Sequence, residues 1–212
     1  MDEPTEKFTL YQTLRTRGTC GVEYFSIAVA HHWDGTHQLD SVVFQWNGQR
    51  FVVFQKLPTK GAAHFKFFTL NNEKYLTVAN YHDGSTYSTK SVIYKWNGVK
   101  FNKFQEIATE GAMGFYCYSW SPRLPSFRDQ LSYLLSYGQL LRQQPGARSQ
   151  GASQGAKFME YQEISTHGAY DMTSFEYKGH TYLAVANHYN QKFNINSISQ
   201  SGCRNRDTRR KA

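Results

Sequence analysis

Short stretches of alternating apolar and polar residues, separated by turn residues, recur along this chain. The clearest set begins at Phe51: FVVFQKLP, HFKFFTL, YLTVAN and SVIYKW follow one another with polar turns between them. The last stretch runs into Asn97-Gly98, a dipeptide typical of a tight β-hairpin turn. Such alternation, bounded by turn residues, predicts four short β-strands between Phe51 and Lys100.

The first of these strands belongs to a pattern that occurs four times without a gap. The pattern is F-x-x-[FY]-Q-x-[LI]-x-T-x-G, with copies that begin at Phe8, Phe51, Phe101 and Phe158, at spacings of 43, 50 and 57 residues. Four strands per repeat of this length predict the blades of a β-propeller. The glutamine of each copy is expected to form a buried hydrogen bond between blades; these are Gln12, Gln55, Gln105 and Gln162.

The other copies define the predicted organisation. In the first copy AVAHHWDG and SVVFQWNG correspond to TVANYHDG and SVIYKWNG of the second, and the fourth copy carries YLAVAN. We therefore predict an N-terminal tail at 1–7, blades at 8–50, 51–100 and 101–157, an incomplete blade at 158–196 and a basic tail at 197–212. The rival is a closed four-bladed propeller, similar to a hemopexin-like binding domain, in which the strand from Phe8 would pair with a strand from 158–196.

Residues 113–156 depart from the repeat, since they contain neither a YLxVAN nor a SVIYKWNG stretch. One interpretation is a helical insertion, because Leu131, Leu134, Leu135, Leu140 and Leu141 can lie on one face of a helix. The favoured one is a stretch never selected to fold, such as an altered reading frame or a retained intron, since insertions usually extend loops and leave strands intact. The segment is thus expected to be a tether without the strands of a blade, cut early by proteases at its arginines.

The repeated motifs carry a family resemblance. F-x-x-[FY]-Q-x-[LI]-x-T-x-G, then YLxVANYxDG, then SVIYKWNGxxF resembles the EAR repeat, also called the EPTP or epitempin repeat, over residues 8–112 and 155–190. The resemblance implies a partial propeller of about four repeats, one of them defective, from a seven-bladed propeller. It also implies a secreted or cell-surface module that binds an extracellular protein ligand and has no catalytic activity.

Charge and cysteine content change this picture little. The net charge is +8, but residues 113–156 and 197–212 supply seven of these charges, which leaves the repeats nearly neutral and argues against nucleic-acid binding. Three widely spaced cysteines form no metal motif, and Cys20 is expected to be a buried free thiol. No apolar run is long enough to span a membrane. Met1–Lys7 has no signal-peptide character, so an intracellular scaffold propeller is the alternative function.

Two groups of residues are candidates for sites. Asp34, Asn80, Asp83 and Asn187 follow equivalent strands, so their oxygen atoms could meet a calcium ion at one end of the propeller. The competing interpretation is that they cap strand ends and set the following turns. Trp46 and Trp96 precede Asn-Gly turns and are either exposed anchors for a partner or part of the core between blades. Every candidate histidine or aspartate recurs with the repeat, so the sequence predicts no catalytic residues and no cofactor other than that calcium ion.

Overall fold

The computed structural model describes residues 9–23, 26–70, 72–120, 131–136, 139–143, 157–164, 166, 169–178, 180–188 and 198–201. Throughout these ranges the regular structure is β-strand, arranged in four antiparallel sheets. No helix among the described residues is both long and apolar enough to cross a membrane. The predicted all-β fold of propeller-type repeats is confirmed.

Each sheet is built from consecutive strands joined by antiparallel pairing. Sheet 1 contains β1 (Thr19–Glu23), β2 (Ile27–His31), β3 (Gln38–Trp46) and β4 (Phe51–Lys60). Sheet 2 contains β5 (Ala62–Leu70), β6 (Glu73–Asn80), β7 (Ser88–Trp96) and β8 (Phe101–Glu110). Sheet 3 contains β9 (Tyr116–Trp120), β10 (Leu131–Ser136), β11 (Gln139–Gln143) and β12 (Phe158–Glu163), and sheet 4 contains β13 (Ala169–Tyr177), β14 (His180–Asn187) and β15 (Ile198–Ser201).

The sheets are offset from the sequence repeats by one strand. The strand that opens a sequence repeat, such as β4 from Phe51, pairs with β3 of the repeat before it and so ends sheet 1. β8 and β12 end sheets 2 and 3 in the same way. The predicted blade bounds are therefore wrong by one strand, because sequence periodicity gives the length of a repeat but not the point at which one sheet stops.

The prediction that residues 113–156 lack the strands of a blade is also wrong. β9, β10 and β11 lie within this range and pair in order with β12. Four of the leucines expected on one side of a helix are instead directly opposed on two paired strands. Leu134 is opposite Leu141, and Leu135 is opposite Leu140. Two adjacent apolar residues are compatible with both the helical period of about 3.6 residues and the strand period of about 2. Because only two residues separate β10 from β11, a hairpin is favoured. β15 likewise falls inside the predicted basic tail. The proposed cleavage sites Arg123, Arg128 and Arg148 lie outside the described residues.

The core lies between the sheets. One cluster joins Ala28, Val43 and Leu57 of sheet 1 to Phe65 and Leu76 of sheet 2, all of them almost fully buried. A second joins sheet 2 to Phe115 and Phe158 next to and within sheet 3. Along one side the first strands contact each other in order, β1 with β5, β5 with β9 and β9 with β13. The sheets thus pack face to face, as blades of a propeller do.

The repeated glutamine joins one sheet to the next. The Gln55 amide donates to the carbonyl of Phe101 (2.7 Å), and its Oε1 accepts from the Phe101 N–H (3.0 Å). Gln105 makes the same pair of bonds to Phe158, and Gln12 makes them to Phe51. The predicted hydrogen bond between blades is confirmed for these three glutamines, while the side chain of Gln162 lies outside the described residues. Cys20, by contrast, is exposed rather than buried.

Candidate functional site

Two equivalent loops meet at one end of the first two sheets. Loop A (residues 32–37) joins β2 to β3, and loop B (residues 81–87) joins β6 to β7. Between the sheets, Gly61 takes a left-handed conformation (φ 52°), donates its N–H to the carbonyl of His37 and accepts from the N–H of Tyr81. The repeat's glycine therefore holds the two loops side by side.

Each loop is shaped by its aspartate. The Asp83 N–H donates to the carbonyl of Thr86, and Asp34 makes the same bond to Thr36. Oδ1 of Asp83 also accepts from the N–H groups of Ser85 and Thr86 and from the Ser85 hydroxyl, at 2.8 to 3.0 Å. These donors hold the pKa of Asp83 well below its usual range, the Ser85 N–H most strongly. The Asp-Gly turns predicted from the sequence thus present the rest of each loop in a defined conformation.

The loops carry a continuous set of ring contacts, which we call the ring surface. Its members are His32, Trp33, His37, Tyr81, His82 and Tyr87. Two contacts join the loops, His37 with His82, whose ring centres are 4.7 Å apart, and His32 with Tyr81 at 5.6 Å. Trp33 lies 4.7 Å from His37, and Tyr87 lies 4.6 Å from His82. Trp33 and Tyr87 are each 49% exposed, so the outer rings are open to a partner.

Sheet 4 has a similar contact between aromatic rings at the equivalent position. His188 directly follows β14, as Tyr81 follows β6, and its ring is 5.3 Å from that of Tyr170. Tyr170 is 57% exposed. Rings at this end are therefore a property of the repeat and not of one loop.

The electrostatics of the ring surface favour the neutral form of His32. Burial lowers the pKa of His32 below its ordinary value of 6.5, and the positive charges that His37 and His82 would carry lower it further. Hydrogen bonds with the backbone of Gly61 and Ala62 oppose the shift. The carboxylates of loops A and B form ion pairs, Asp34 with Arg17 at 3.5 Å and Asp83 with Lys60 at 3.7 Å. Protonation of His32 is unfavourable as a result.

We expect acidification to destabilise the folded chain through His32. A lowered pKa in the folded state means that the unfolded chain binds the proton more readily, so stability is full above pH 6.5 and falls as the pH drops below it. His32→Tyr, which installs the residue found at position 81, should reduce this fall while keeping a ring. Urea midpoints at pH 7.5 and pH 5.5 measure the difference. An equal fall in both proteins would contradict the assignment to His32.

The calcium candidates have other contacts. Buried Asn80 donates its amide to the carbonyl of Lys90 (2.7 Å) and accepts from the N–H of Lys60 (3.0 Å), which joins sheet 1 to sheet 2. Asp83 and Asp34 have the turn bonds and ion pairs given above, and Asn187 ends β14. The described residues include no group of three or more His, Cys, Asp and Glu that could hold a metal ion. Calcium binding stays a prediction, and the geometry supports the capping interpretation for Asn80 and Asp83.

The two tryptophan candidates lie at the opposite end of the sheets. Trp96 is partly buried against the core between sheets 1 and 2 and contacts Phe54 and Phe101. Trp46 is 44% exposed and contacts Tyr11 and Phe51. The core interpretation therefore describes Trp96, whereas Trp46 keeps a face open to solvent.

Sequence reasoning found part of the ring surface. It aligned the stretches AVAHHWDG and TVANYHDG, which contain His32, Trp33, Tyr81 and His82, and placed their aspartates at one end of the propeller, but it missed His37 and Tyr87. Both residues lie just before the third strand of a sheet, at equivalent positions in the two repeats. That equivalence is the signal that could have found them, and only the folded loops bring them against His82.

The comparisons with known proteins bear on the repeat itself. The model of the EPTP domain family matches residues 50–97 and 157–201. These two stretches match the EAR repeat of the EPTP family. The resemblance seen in the sequence is confirmed, and the EAR repeat is a protein-interaction module belonging to a non-enzymatic family of binding domains.

Two relatives contain similar repeats. The thrombospondin-type laminin G domain and EAR repeat-containing protein of Mus musculus is 38% identical over 87 residues, which cover 37% of this chain and 13% of that protein. The protein of the same name from Homo sapiens is 29% identical over 192 residues, which cover 89% of this chain and 20% of that protein. The chain therefore spans a fifth or less of the length of these relatives.

Proposed function

We propose that this chain is an extracellular recognition module that binds a cell-surface or matrix protein through the ring surface. The observation that carries the proposal is the set of half-exposed rings shared by loops A and B. Trp33 and Tyr87 each keep 49% of their surface exposed while their positions are held by Asp-Gly turns. Rigid aromatic side chains of this kind supply contact area at low entropic cost and are frequent anchors in protein interfaces.

The extracellular setting rests on the EAR repeats. The relatives are named for EAR repeats joined to a thrombospondin-type laminin G domain, and the resemblance implies secreted or cell-surface proteins. The near-neutral repeats suit a protein partner better than a nucleic acid. An intracellular scaffold is the competing function. The two functions differ in whether the ligand of the chain lies outside or inside the cell.

Binding of the purified chain to intact cells tests the proposal. We expect saturable binding that is lost when surface proteins are first removed with trypsin. The double variant Trp33→Ser/Tyr87→Ser should bind at least about tenfold more weakly, since loss of a central aromatic anchor costs about 2 kcal/mol or more. The matched control is Val53→Ser/Val99→Ser, which removes two exposed apolar side chains elsewhere on sheets 1 and 2.

Two results of this experiment would contradict the proposal. Binding only to permeabilised cells would favour the intracellular scaffold. Loss of binding in Trp46→Ser, with Trp33→Ser/Tyr87→Ser unaffected, would move the binding surface to the opposite end. Circular dichroism and urea unfolding of each variant establish that the fold is retained.

A further inference from the structure

Residues 9–18, which we call the N-terminal segment, contact sheet 1 as an outer strand contacts the next sheet. Gln12 bonds both backbone groups of Phe51, as Gln55 of β4 bonds those of Phe101 in sheet 2. Leu14 packs on Val29, Val42 and Phe44, on the face of sheet 1 that does not meet sheet 2. In the repeat, Leu14 corresponds to Leu57, which packs between sheets 1 and 2.

The glycine that ends the segment completes the equivalence. Gly18 takes the left-handed conformation (φ 45°), and its carbonyl accepts from the N–H of His32 at 3.0 Å. Gly61 accepts from the N–H of Tyr81 in the same way. The N-terminal segment is therefore positioned as the outer strand of a sheet that would precede sheet 1.

The three other strands of that sheet are not beside it in the described part of the chain. β4 and β8 pair along their length with β3 and β7, whereas residues 9–16 form no strand pairing. Thr16 and Tyr11 are exposed, while the corresponding Thr59 is buried and Phe54 is partly buried. The Thr59 hydroxyl forms hydrogen bonds with Ser41 and Leu39 of the neighbouring strand β3. Thr16 carries the equivalent hydroxyl, but no strand is paired beside it in the described part of the chain.

Sheet 4 has the complementary arrangement. β15 pairs with β14 in the register of the third strand of sheet 2, because Ile198 opposes Val185 as Val92 opposes Val78. In sheet 2 the other edge of the third strand pairs with β8. Among the described residues no strand occupies that edge of β15.

We propose that the N-terminal segment of one copy of this chain completes sheet 4 of a second copy. Sheet 1 packs against the N-terminal segment on one face and against sheet 2 on the other. The first strands of the four sheets contact each other in sequence, from β1 through β5 and β9 to β13. The N-terminal segment and sheet 4 are thus at opposite ends of this row of sheets. Each copy offers a strand at one end and a strand edge at the other, which is the condition for head-to-tail association.

The register follows from sheet 2. Val92 opposes Glu106 there, and the corresponding residues are Ile198 in β15 and Thr13 in the N-terminal segment. Ile198 of one copy is therefore expected to oppose Thr13 of the other. Directly opposed residues of antiparallel strands have Cβ atoms close enough for a disulfide bond.

Cross-linking of the full chain tests this pairing. In a background with Cys20, Cys117 and Cys203 changed to serine, Thr13→Cys is introduced into one tagged chain and Ile198→Cys into a chain with another tag. Each chain then holds a single cysteine, so a disulfide between the two tags reports pairing between copies. Under mild oxidation this product is expected to dominate over that of the control pair, Val99→Cys with Ile198→Cys.

Mass measurement gives an independent result. Sedimentation should show a concentration-dependent rise to at least twice the 24.5 kDa of one chain, and Thr13→Pro should abolish the rise because proline cannot donate to the ladder. A monomer at every concentration would overturn the proposal. So would a disulfide that forms at high dilution when both cysteines are in one chain, since that result shows closure within a single copy.

Discussion

Gln55→Leu is expected to lower the free energy of unfolding by about 2–4 kcal/mol. The change keeps most of the side-chain volume but leaves the N–H and the carbonyl of Phe101 without the bonds at 3.0 and 2.7 Å. Phe101 is only 4% exposed, so water replaces the amide poorly. A buried backbone group that loses its partner costs about 1–3 kcal/mol, and two are affected here.

Urea unfolding followed by tryptophan fluorescence measures this loss. Gln45→Leu is the matched control, because Gln45 is an exposed glutamine of β3 in the same sheet. It should stay within about 0.5 kcal/mol of the wild-type chain. Equal losses in the two variants would show that the bonds to Phe101 contribute nothing specific to the contact between sheets.

Gly61→Ala is expected to destabilise the fold by about 3 kcal/mol, through two separate effects. A residue with a side chain at the left-handed φ of 52° costs about 1–2 kcal/mol. The added Cβ would also meet the carbonyl oxygen of His82 at 2.6 Å and Nδ1 of His37 at 2.8 Å. Insertion of a methyl group into a packed site costs about 1–3 kcal/mol more.

Gly98→Ala separates the two effects. Gly98 also has a positive φ, of 97°, but a Cβ there would have open space around it. Its substitution should therefore cost only the conformational part, about 1–2 kcal/mol. The same urea experiment compares the variants, and a loss in Gly98→Ala as large as in Gly61→Ala would show that the approach of loops A and B to Gly61 is not tight. Because Gly61 holds these loops together, its alanine variant should also weaken the binding that we assign to the ring surface.

The four strands between Phe51 and Trp96 could be predicted to within three residues at each end. Alternation within SVIYKW and YLTVAN, and the Asn-Gly and Asp-Gly turns between strands, express short-range preferences of the backbone. The structure adds which strand belongs to which sheet. β4 begins a sequence repeat at Phe51 yet pairs with β3, because the Asn47-Gly48 hairpin joins the two strands directly.

The segment from residue 113 to residue 156 shows where local reasoning failed. Its strands share no motif with the other copies, so comparison between repeats found nothing, and the paired leucines fitted a helix equally well. The partners of β9, β10 and β11 are other strands of sheet 3, and β12 is the repeat's own Phe158 strand. An outer strand supplied by the next repeat gives a divergent stretch an edge to pair with.

By itself, the sequence determined the repeat, the β class and the resemblance to the EAR repeat, because each of these is encoded in the spacing and type of residues close together in the chain. It also determined the role of Gln12, Gln55 and Gln105, since a polar side chain kept at one position of every repeat needs a buried partner. Only the tertiary structure decided the offset of the sheets, the meeting of His37 with His82 and the unpaired N-terminal segment. The physical reason is that these features depend on contacts between residues far apart in the sequence, such as His37 and His82, or on which edge a strand joins, and periodicity does not specify either.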